Sequence, residues 1–212
     1  MLETSLITRR TLVGTAALAG AAAVAGGVAS LQAPAAFADS EGGEQTQYGF
    51  WIDTARCDGC GECVAACRSA NHTPEDVPAR RRIQAIYNEF GDEKTISVSC
   101  MHCSHPSCAD VCPAGAIKKR SDGIVAVDHD RCIGCKYCYQ ACPFAVPHYT
   151  AEGMDKCDCC LEAGVPAGDT PNCVAACKKG ALKFGKVDEL RARSNNRAKF
   201  IKASTGPNCL FS

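Results

Sequence analysis

The run from Arg131 to Pro143 constrains this chain most, because cysteines recur in it at short, fixed intervals. The spacing is C-x2-C-x2-C-x3-C-P, formed by Cys132, Cys135, Cys138 and Cys142. A tight loop opened by Gly134 lets the first three sulfurs converge on three irons of one cubane, whereas Cys142, on the short helix that follows, points away and is expected to ligate a different cluster. Pro143 ends that helical turn, because proline has no N–H to donate and its ring clashes with the preceding turn. A single run of this kind therefore implies a partner run.

Three further groups of four cysteines repeat the spacing with variations. The first group has Arg68 in the proline position, the second has its second gap widened to four residues, and the fourth carries a twelve-residue insertion and Lys178 in the proline position. In chain order the groups are Cys57, Cys60, Cys63 and Cys67; Cys100, Cys103, Cys108 and Cys112; Cys132, Cys135, Cys138 and Cys142; and Cys157, Cys160, Cys173 and Cys177. Sixteen of the 18 cysteines thus fall into four complete quartets, which predicts four [4Fe-4S] clusters.

Two other kinds of cysteine chemistry compete with this interpretation. Eighteen cysteines in 212 residues is a density that also suits a disulfide scaffold. A disulfide framework, however, does not need successive C-x2-C-led groups, two of them closed by Cys-Pro. Zinc knuckles use paired C-x2-C motifs but explain neither the third nor the fourth cysteine of each group. The spacing therefore favours iron-sulfur clusters over both.

Composition and motif content exclude several functions. The 23 basic and 23 acidic residues balance and aromatic content is 6%, so no nucleic-acid partner is indicated. The chain contains no C-x-x-C-H haem motif, no G-x-G-x-x-G dinucleotide loop and no P-loop. With four thiolates for every cluster, no iron is left open for a substrate. We therefore expect no catalytic residue; an enzyme with its own active site would need an unsaturated cluster or an organic cofactor.

The first 38 residues have the composition of a targeting segment. Arg9 and Arg10 precede an apolar, Ala/Gly-rich stretch that runs to about Ala29, and small residues at Ala36 and Ala38 suit a cleavage site. A twin-arginine signal, residues 1–38, is the interpretation, with an uncleaved membrane anchor as the alternative. A protein that acquires clusters in the cytoplasm would have to cross the membrane folded, so a periplasmic or other extracytoplasmic location is expected. Residues 39–47 are polar and are expected to be a linker.

Strand and hairpin patterns separate the cysteine groups. Strands are expected at Tyr48 to Asp53, Val146 to Thr150 and Ala181 to Phe184, hairpins at Arg82 to Ser99 and Ala116 to Asp128, and a helix at Cys63 to Ser69. Trp51 is expected in the core. The repeat of cysteine run, hairpin and cysteine run predicts an α+β fold of two nested bacterial two-cluster ferredoxin-like modules, with short hairpins and short helices. Within a domain spanning 48–186, the outer module would combine 48–75 with 150–186 and enclose an inner module, 95–149. Residues 187–212 are expected to be a basic C-terminal tail.

This arrangement of four quartets behind a twin-arginine leader resembles the iron-sulfur electron-transfer subunits of dimethyl sulfoxide reductase-type molybdoenzymes. It is most similar to exported members associated with polysulfide, tetrathionate and formate-dependent nitrite reduction. The resemblance covers about residues 48–186. It implies a non-catalytic subunit of anaerobic respiration. Such a subunit passes single electrons between an integral membrane quinol-linked subunit and a molybdopterin-containing catalytic subunit. Its association with the membrane would be indirect, through its partner. A freestanding exported polyferredoxin is the alternative, and it shares every ligand.

The same resemblance implies which cysteines share a cluster. In that family the quartets cross-ligate, and the sets carried over to this sequence are Cys57, Cys60, Cys63 and Cys177; Cys157, Cys160, Cys173 and Cys67; Cys100, Cys103, Cys108 and Cys142; and Cys132, Cys135, Cys138 and Cys112. Some relatives lack the second cysteine of the third quartet and hold a three-iron cluster; Cys135 is present here, so a cubane is expected. Cys159, beside Cys160, leaves the first ligand of the fourth quartet ambiguous.

Some residues invite a functional interpretation that the sequence does not require. The histidines, none of which takes a cysteine position, are expected at the surface or behind cluster ligands; they are His72, His102, His105, His129 and His148. Cys209 is expected to be a free thiol in a flexible tail. The basic run near the end is expected to be a solvated helix face; it comprises Arg191, Arg193, Arg197, Lys199 and Lys202.

Overall fold

The computed structural model describes residues 46–87 and 91–212. The signal predicted over residues 1–38 and most of the linker predicted over 39–47 lie outside the described residues. Within them the chain is a mixture of short helices and small, mostly antiparallel sheets, so the expected α+β class is confirmed.

The elements are short and follow one another closely. The strands are β1 (Tyr48–Ile52), β2 (Arg82–Tyr87), β3 (Glu93–Val98), β4 (Ile117–Lys119), β5 (Val125–Val127), β6 (His148–Thr150), β7 (Gly153–Asp155), β8 (Leu182–Lys186), β9 (Lys199–Phe200) and β10 (Leu210–Phe211). The helices are α1 (Glu62–Ala70), α2 (Ser107–Asp110), α3 (Tyr137–Ala141), α4 (Asn172–Ala175) and α5 (Val187–Arg193). No helix in the described ranges combines the length and the apolar character that crossing a membrane requires.

One sheet joins segments that are far apart in the sequence. Its strand order is β8-β1-β10-β9, with β8 antiparallel and β10 parallel to β1. The aromatic and β-branched residues of β1 suit this central position, and Phe50 and Ile52 are fully buried. Gly49 permits a close approach of the chain, because a Cβ there would collide with the Asn208 carbonyl oxygen. The start and the end of the described chain thus share one core.

Three two-stranded hairpins carry the chain between the cysteine groups. The hairpins β2-β3 and β4-β5 form where alternating polar and apolar residues predicted them. The strand predicted at Val146 to Thr150 is shorter, because β6 begins at His148, and it pairs with β7, which was not predicted. β7 is only three residues long, and its alternation is too brief to be distinguished from a loop.

Helix ends are fixed by residues beside the cysteines. Pro106 and Pro171 precede α2 and α4, where their fixed φ suits a helix start. Cys142, which precedes Pro143, has ψ 113°, because proline disfavours the helical region for the residue before it. Gly61 precedes α1 in the left-handed region, and Lys136 takes the same conformation before α3. These turns lead from the cysteine loops into the helices.

The flexible tail expected around Cys209 is not what the structure shows. Residues 187–193 form α5, and β10 lies between β1 and β9 in the main sheet. Trp51 is buried, as predicted, and its Nε1–H donates to Ser212 Oγ at 3.0 Å. Cys209 is only 2% exposed and packs with Phe50 and Ile52 in the largest core cluster. A two-residue strand whose partner lies about 160 residues away leaves no periodic signal in the sequence, so it was not predicted. The basic residues between α5 and β9 are exposed, as expected.

Candidate iron-sulfur cluster sites

Two of the predicted ligand sets each line one cavity, and the cysteines of the other two sets lie close enough to influence one another's pKa. Each set combines three cysteines of one group with one from another. We call these site 1 (Cys57, Cys60, Cys63 and Cys177), site 2 (Cys157, Cys160, Cys173 and Cys67), site 3 (Cys100, Cys103, Cys108 and Cys142) and site 4 (Cys132, Cys135, Cys138 and Cys112). Sites 1 and 2 are the outer pair, and sites 3 and 4 are the inner pair. All 18 cysteines lie in the described part of the chain, and no disulfide joins any of them.

Site 1 is an enclosed, mostly apolar cavity. Its four cysteines line the cavity together with Ile52, Ile83, Ser97 and Leu182. Cys177 reaches it from the C-terminal end of α4, which packs against α1. Left-handed turns at Gly59 and Gly61 place Cys60 between two changes of chain direction. Four sulfurs lining one cavity are the donor set that a cubane requires.

Site 4 repeats this construction in the middle of the chain. Its four cysteines line an enclosed cavity with Ile117, Ile133, Tyr149 and Met154. Cys112 comes from the segment after α2, which packs against α3, just as α4 packs against α1. Gly134 and Lys136 take the left-handed conformations that Gly59 and Gly61 take at site 1. The Tyr149 hydroxyl lies 3.1 Å from Cys138 Sγ.

Electrostatic coupling between the thiols shows how the cysteines of site 2 are grouped. Burial, and then the charges of Cys157, Cys173 and Cys160, raise the pKa of Cys67 to about 12. Cys67 therefore lies beside the three cysteines of the fourth group, although it belongs to the first. Its own α1 neighbour, Cys63, lines site 1 instead.

Site 3 is grouped in the same way. Burial, and then the charge of Cys100, raise the pKa of Cys108 to about 12, with Cys142 and Cys103 adding to the effect. Cys142 thus lies beside the second group rather than at site 4. A cluster must displace the protons of these thiols when it binds.

Backbone N–H groups point at several of these sulfurs. The N–H of Ala116 donates to Cys112 Sγ at 3.3 Å, and the N–H of Leu182 donates to Cys177 Sγ at 3.4 Å. In both cases the fourth cysteine of a group accepts from the residue four or five positions later, at the start of the next strand. The N–H of Met154 donates in the same way to Cys132 Sγ at 3.4 Å. Hydrogen bonds to cluster sulfurs are one of the features that set cluster potentials, so these donors fit bound clusters.

The ambiguity between Cys157 and Cys159 is reduced by His102, which lies between sites 2 and 3. The N–H of Val125 donates to His102 Nδ1 at 3.0 Å, so His102 Nε2 carries the proton and faces Cys159 Sγ at 3.2 Å. The hydrogen bond from Cys159 lowers the pKa of Cys157 well below its usual value, against the effect of burial. Cys157, rather than Cys159, is among the thiols whose charge raises the pKa of Cys67.

His102 and Lys156 also lie beside site 3. Burial opposes ionisation of Cys100, but His102 and Lys156 together lower its pKa to about 6. His102 is fully buried, which fits the expected location behind cluster ligands. His72 and His105 are exposed, and His129 and His148 form ion-pair contacts with Glu162 and Asp155.

Three buried cations near the sites were not predicted from the sequence. Arg81 and Lys156 are 1% and 2% exposed, and Arg80 forms ion pairs with Asp155, Asp158 and Glu162. Arg81 and Arg80 stand in the run Arg80-Arg81-Arg82, which looks like an ordinary exposed basic turn. Only their tertiary partners, 16 and 75 residues away, distinguish them.

Comparison with known proteins shows similarity over most of the described region. Residues 56–117 and 92–187 each match a family model described as a 4Fe-4S dicluster domain. The protein is 42% identical over 165 residues to the B subunit of anaerobic dimethyl sulfoxide reductase of Escherichia coli K12. The aligned region covers 72% of this sequence and 80% of that protein. It is 42% identical over 150 residues to the thiosulfate reductase electron transfer subunit PhsB of Salmonella typhi, covering 68% and 78%. It is also 42% identical over 149 residues to protein NrfC of E. coli K12, covering 68% and 67%.

Proposed function

Because this protein belongs to the family of 4Fe-4S dicluster electron-transfer subunits that includes the B subunit of dimethyl sulfoxide reductase, we propose that it passes single electrons through four [4Fe-4S] clusters at sites 1 to 4. The observation that carries this proposal is the gathering of sixteen cysteines into four sets of four. A bound cluster with four thiolate ligands supplies one-electron transfer and offers no open iron for a substrate. The protein is accordingly an electron-transfer subunit and not a catalytic one.

The arrangement of the sites supports two nested ferredoxin-like modules. β1 and β8 pair across about 130 residues, and Ile52 of β1 and Leu182 of β8 line site 1. The inner pair lies on the segment between, from Cys100 to Cys142. His102 lies between sites 2 and 3, so the outer and inner pairs meet there. Sites 1 and 4 have exposed cysteines, Cys60 and Cys135, and are therefore the places where electrons would enter and leave.

Metal analysis tests the cofactor assignment. Protein purified without oxygen should contain about sixteen iron atoms and about sixteen sulfide ions per chain, by the stoichiometry of four cubanes. A content near eight iron atoms, or stoichiometric zinc, would contradict the assignment.

The proposed partners are a molybdopterin-containing catalytic subunit and an integral membrane quinol-linked subunit, through which membrane association would be indirect. The names of the relatives support this, since one is a subunit of a reductase and another is an electron transfer subunit. Ile133 and Tyr137, 69% and 60% exposed beside Cys135, provide an apolar docking surface at site 4. Affinity purification from native membranes should recover both partners in stable stoichiometry. A protein isolated alone with all its iron would support the freestanding polyferredoxin.

We also propose export to the extracytoplasmic side of the membrane by the twin-arginine route. The support is the sequence of residues 1–38, in particular Arg9 and Arg10 before a weakly apolar stretch. Replacing both arginines with lysine should leave cluster-loaded precursor in the cytoplasm, as measured by fractionation and immunoblotting. Continued export of the double variant would show that the segment uses another route.

A further inference from the structure

Arg81 is a buried cation without a carboxylate partner. Its guanidinium donates to Ser97 Oγ at 3.0 Å and to Ser99 Oγ at 2.8 Å, and it lies 4.5 Å from the centre of the Phe50 ring. No carboxylate is among its partners in the described ranges, and its Nε has no hydrogen-bond acceptor. Burying an arginine without a counter-charge is strongly unfavourable, because the charge loses its hydration. Buried arginines are therefore almost always paired. The fold must therefore supply negative charge by another means.

The negative charge nearest to Arg81 comes from cysteines of two different sites. Ser97 Oγ, which accepts from Arg81, also lies 3.2 Å from Cys63 Sγ of site 1. The guanidinium also lies near Cys173 of site 2, where its positive charge lowers the pKa of the thiol against the larger, opposing effect of burial. Cys67 and Cys157 of site 2 are also among its electrostatic partners. Arg81 thus lies at the junction of the outer pair.

Lys156 occupies a comparable position between sites 2 and 3. It is buried, and its Nζ donates to the carbonyls of Val125 and Cys157. No carboxylate is among the partners of its Nζ in the part of the chain that the structure describes. Val125 connects it to site 3, because the Val125 N–H donates to His102 Nδ1 and the His102 backbone N–H donates to Cys100 Sγ at 3.5 Å. The positive charge of Lys156 also helps to lower the pKa of Cys100. Site 4 differs, because the cation beside it, Lys136, is exposed and lies 5.5 Å from the Tyr149 ring centre.

We propose that Arg81 and Lys156 are built-in counter-charges of the clusters, Arg81 for sites 1 and 2 and Lys156 for site 3, and that they raise the reduction potentials there. Each one-electron reduction adds a negative charge to a cluster, so a fixed positive charge in a dry interior stabilises the reduced form. Net charge and burial are two of the properties that set cluster potentials, and both cations are desolvated, where charge interactions are strong. Neither residue is proposed to coordinate iron; each acts through its positive charge on a nearby cluster. This inference rests on the proposed four-cluster function.

Redox titration followed by low-temperature EPR, with signals assigned from single-cysteine variants, tests the proposal. Arg81→Gln retains hydrogen-bonding capacity but loses the charge. It should lower the reduction equilibrium constant of sites 1 and 2 at least tenfold, about 59 mV for a one-electron couple, and leave site 4 unchanged. Lys156→Gln should lower the reduction equilibrium constant of site 3 by a similar factor. The guanidinium of the next residue, Arg82, donates to the Phe144 carbonyl. Arg82→Gln is therefore the matched control, and it should leave the reduction equilibrium constants of sites 1 and 2 unchanged.

The controls separate charge from hydrogen bonding and from failure of the function itself. Arg81→Lys keeps the charge and should keep the equilibrium constants of sites 1 and 2 within tenfold of wild type; a larger fall would overturn the proposal by assigning the effect to the guanidinium's hydrogen bonds. If Arg81→Gln does not take up its clusters, the comparison of Arg81→Lys with wild type and the potential of site 3 in Lys156→Gln test the proposal instead. The proposal would also be overturned if the glutamine variants contained all their iron and their four reduction potentials were unchanged. An equal shift of the reduction potential at all four sites would overturn it as well. Wild-type protein with iron well below sixteen atoms per chain would refute the four-cluster function instead.

Discussion

In the outer pair of sites Cys177 accepts the N–H of Leu182, and in the inner pair Cys112 accepts the N–H of Ala116. Each of these cysteines completes a site whose other three cysteines belong to another group. Both pairs also place a loop with two left-handed residues before the helix that carries the third cysteine. The same sequence pattern has thus produced the same local geometry twice, once from adjacent groups and once from the two ends of the cysteine-rich region.

The two pairs differ in what surrounds them. Sites 1, 2 and 3 contribute cysteines to the largest core cluster, which also contains Phe50 and Ile52 of β1. Site 4 has a smaller core of its own, formed by Ile117, Val125 and Met154. The outer pair is further supported by β10 and α5, through a cluster of Trp51, Leu190 and Leu210. The repeat of cysteine spacing therefore determines the sites, while the non-repeated segments determine how each pair is held.

The largest expected effect tests whether both pairs cross-ligate. Cys177→Ser should destroy or convert the cluster at site 1 and leave site 2 with all its ligands, and Cys67→Ser should do the reverse. In the inner pair, Cys112→Ser should affect site 4 and leave site 3 intact. Loss of one thiolate gives a three-iron cluster or prevents assembly, so iron content and low-temperature EPR of each variant identify the affected site.

Matched variants within one group decide the outcome. If Cys177→Ser and Cys157→Ser disturb the same cluster, the fourth group closes on itself and the comparison between the pairs fails. If Cys177→Ser affects site 1 but Cys112→Ser affects site 3, only the outer pair cross-ligates. Either result would break the equivalence of Cys177 and Cys112 on which the nested modules rest.

Local sequence patterns predicted those elements whose interacting residues are close together in the sequence. The hairpins β2-β3 and β4-β5 and the helix α1 were predicted because alternation and turn residues act within a few positions. Cysteine spacing likewise indicated the sites, because a cubane requires thiolates from one loop. β10 could not be predicted, because it contributes only Leu210 and Phe211 and its partner β1 lies far away in sequence.

The residues around the sites could not be predicted, for a related reason. His102, Arg81 and Lys156 acquire their roles from partners brought close by folding, such as Cys159, Ser97 and Val125. In the sequence they are one histidine after Met101, one arginine of three, and one lysine before Cys157. A buried charge has no sequence signature until the element that covers it is known.

A smaller effect tests whether the two pairs are supported independently. Leu210 and Met154 are both fully buried, the first in the cluster that supports β1 and the second in the wall of site 4. Truncation of either to alanine should cost about 2–5 kcal/mol of stability through lost burial and the cavity left behind. Leu210→Ala should loosen β1, whose Ile52 lines site 1, so the outer clusters should release iron first. Met154→Ala should make site 4 release iron first.

The measurement is the order of iron release, because a protein with bound clusters does not unfold in a single two-state step. Iron captured by a chelator in dilute guanidinium gives the rate, and EPR of samples frozen at intervals shows which sites remain. Opposite orders in the two variants would establish separate support for the outer and inner pairs. The same order in both variants would show that clusters are lost through one opening of the whole domain, since the shared core of sites 1, 2 and 3 would then control site 4 as well. Wild-type protein under the same conditions provides the reference rate for each site.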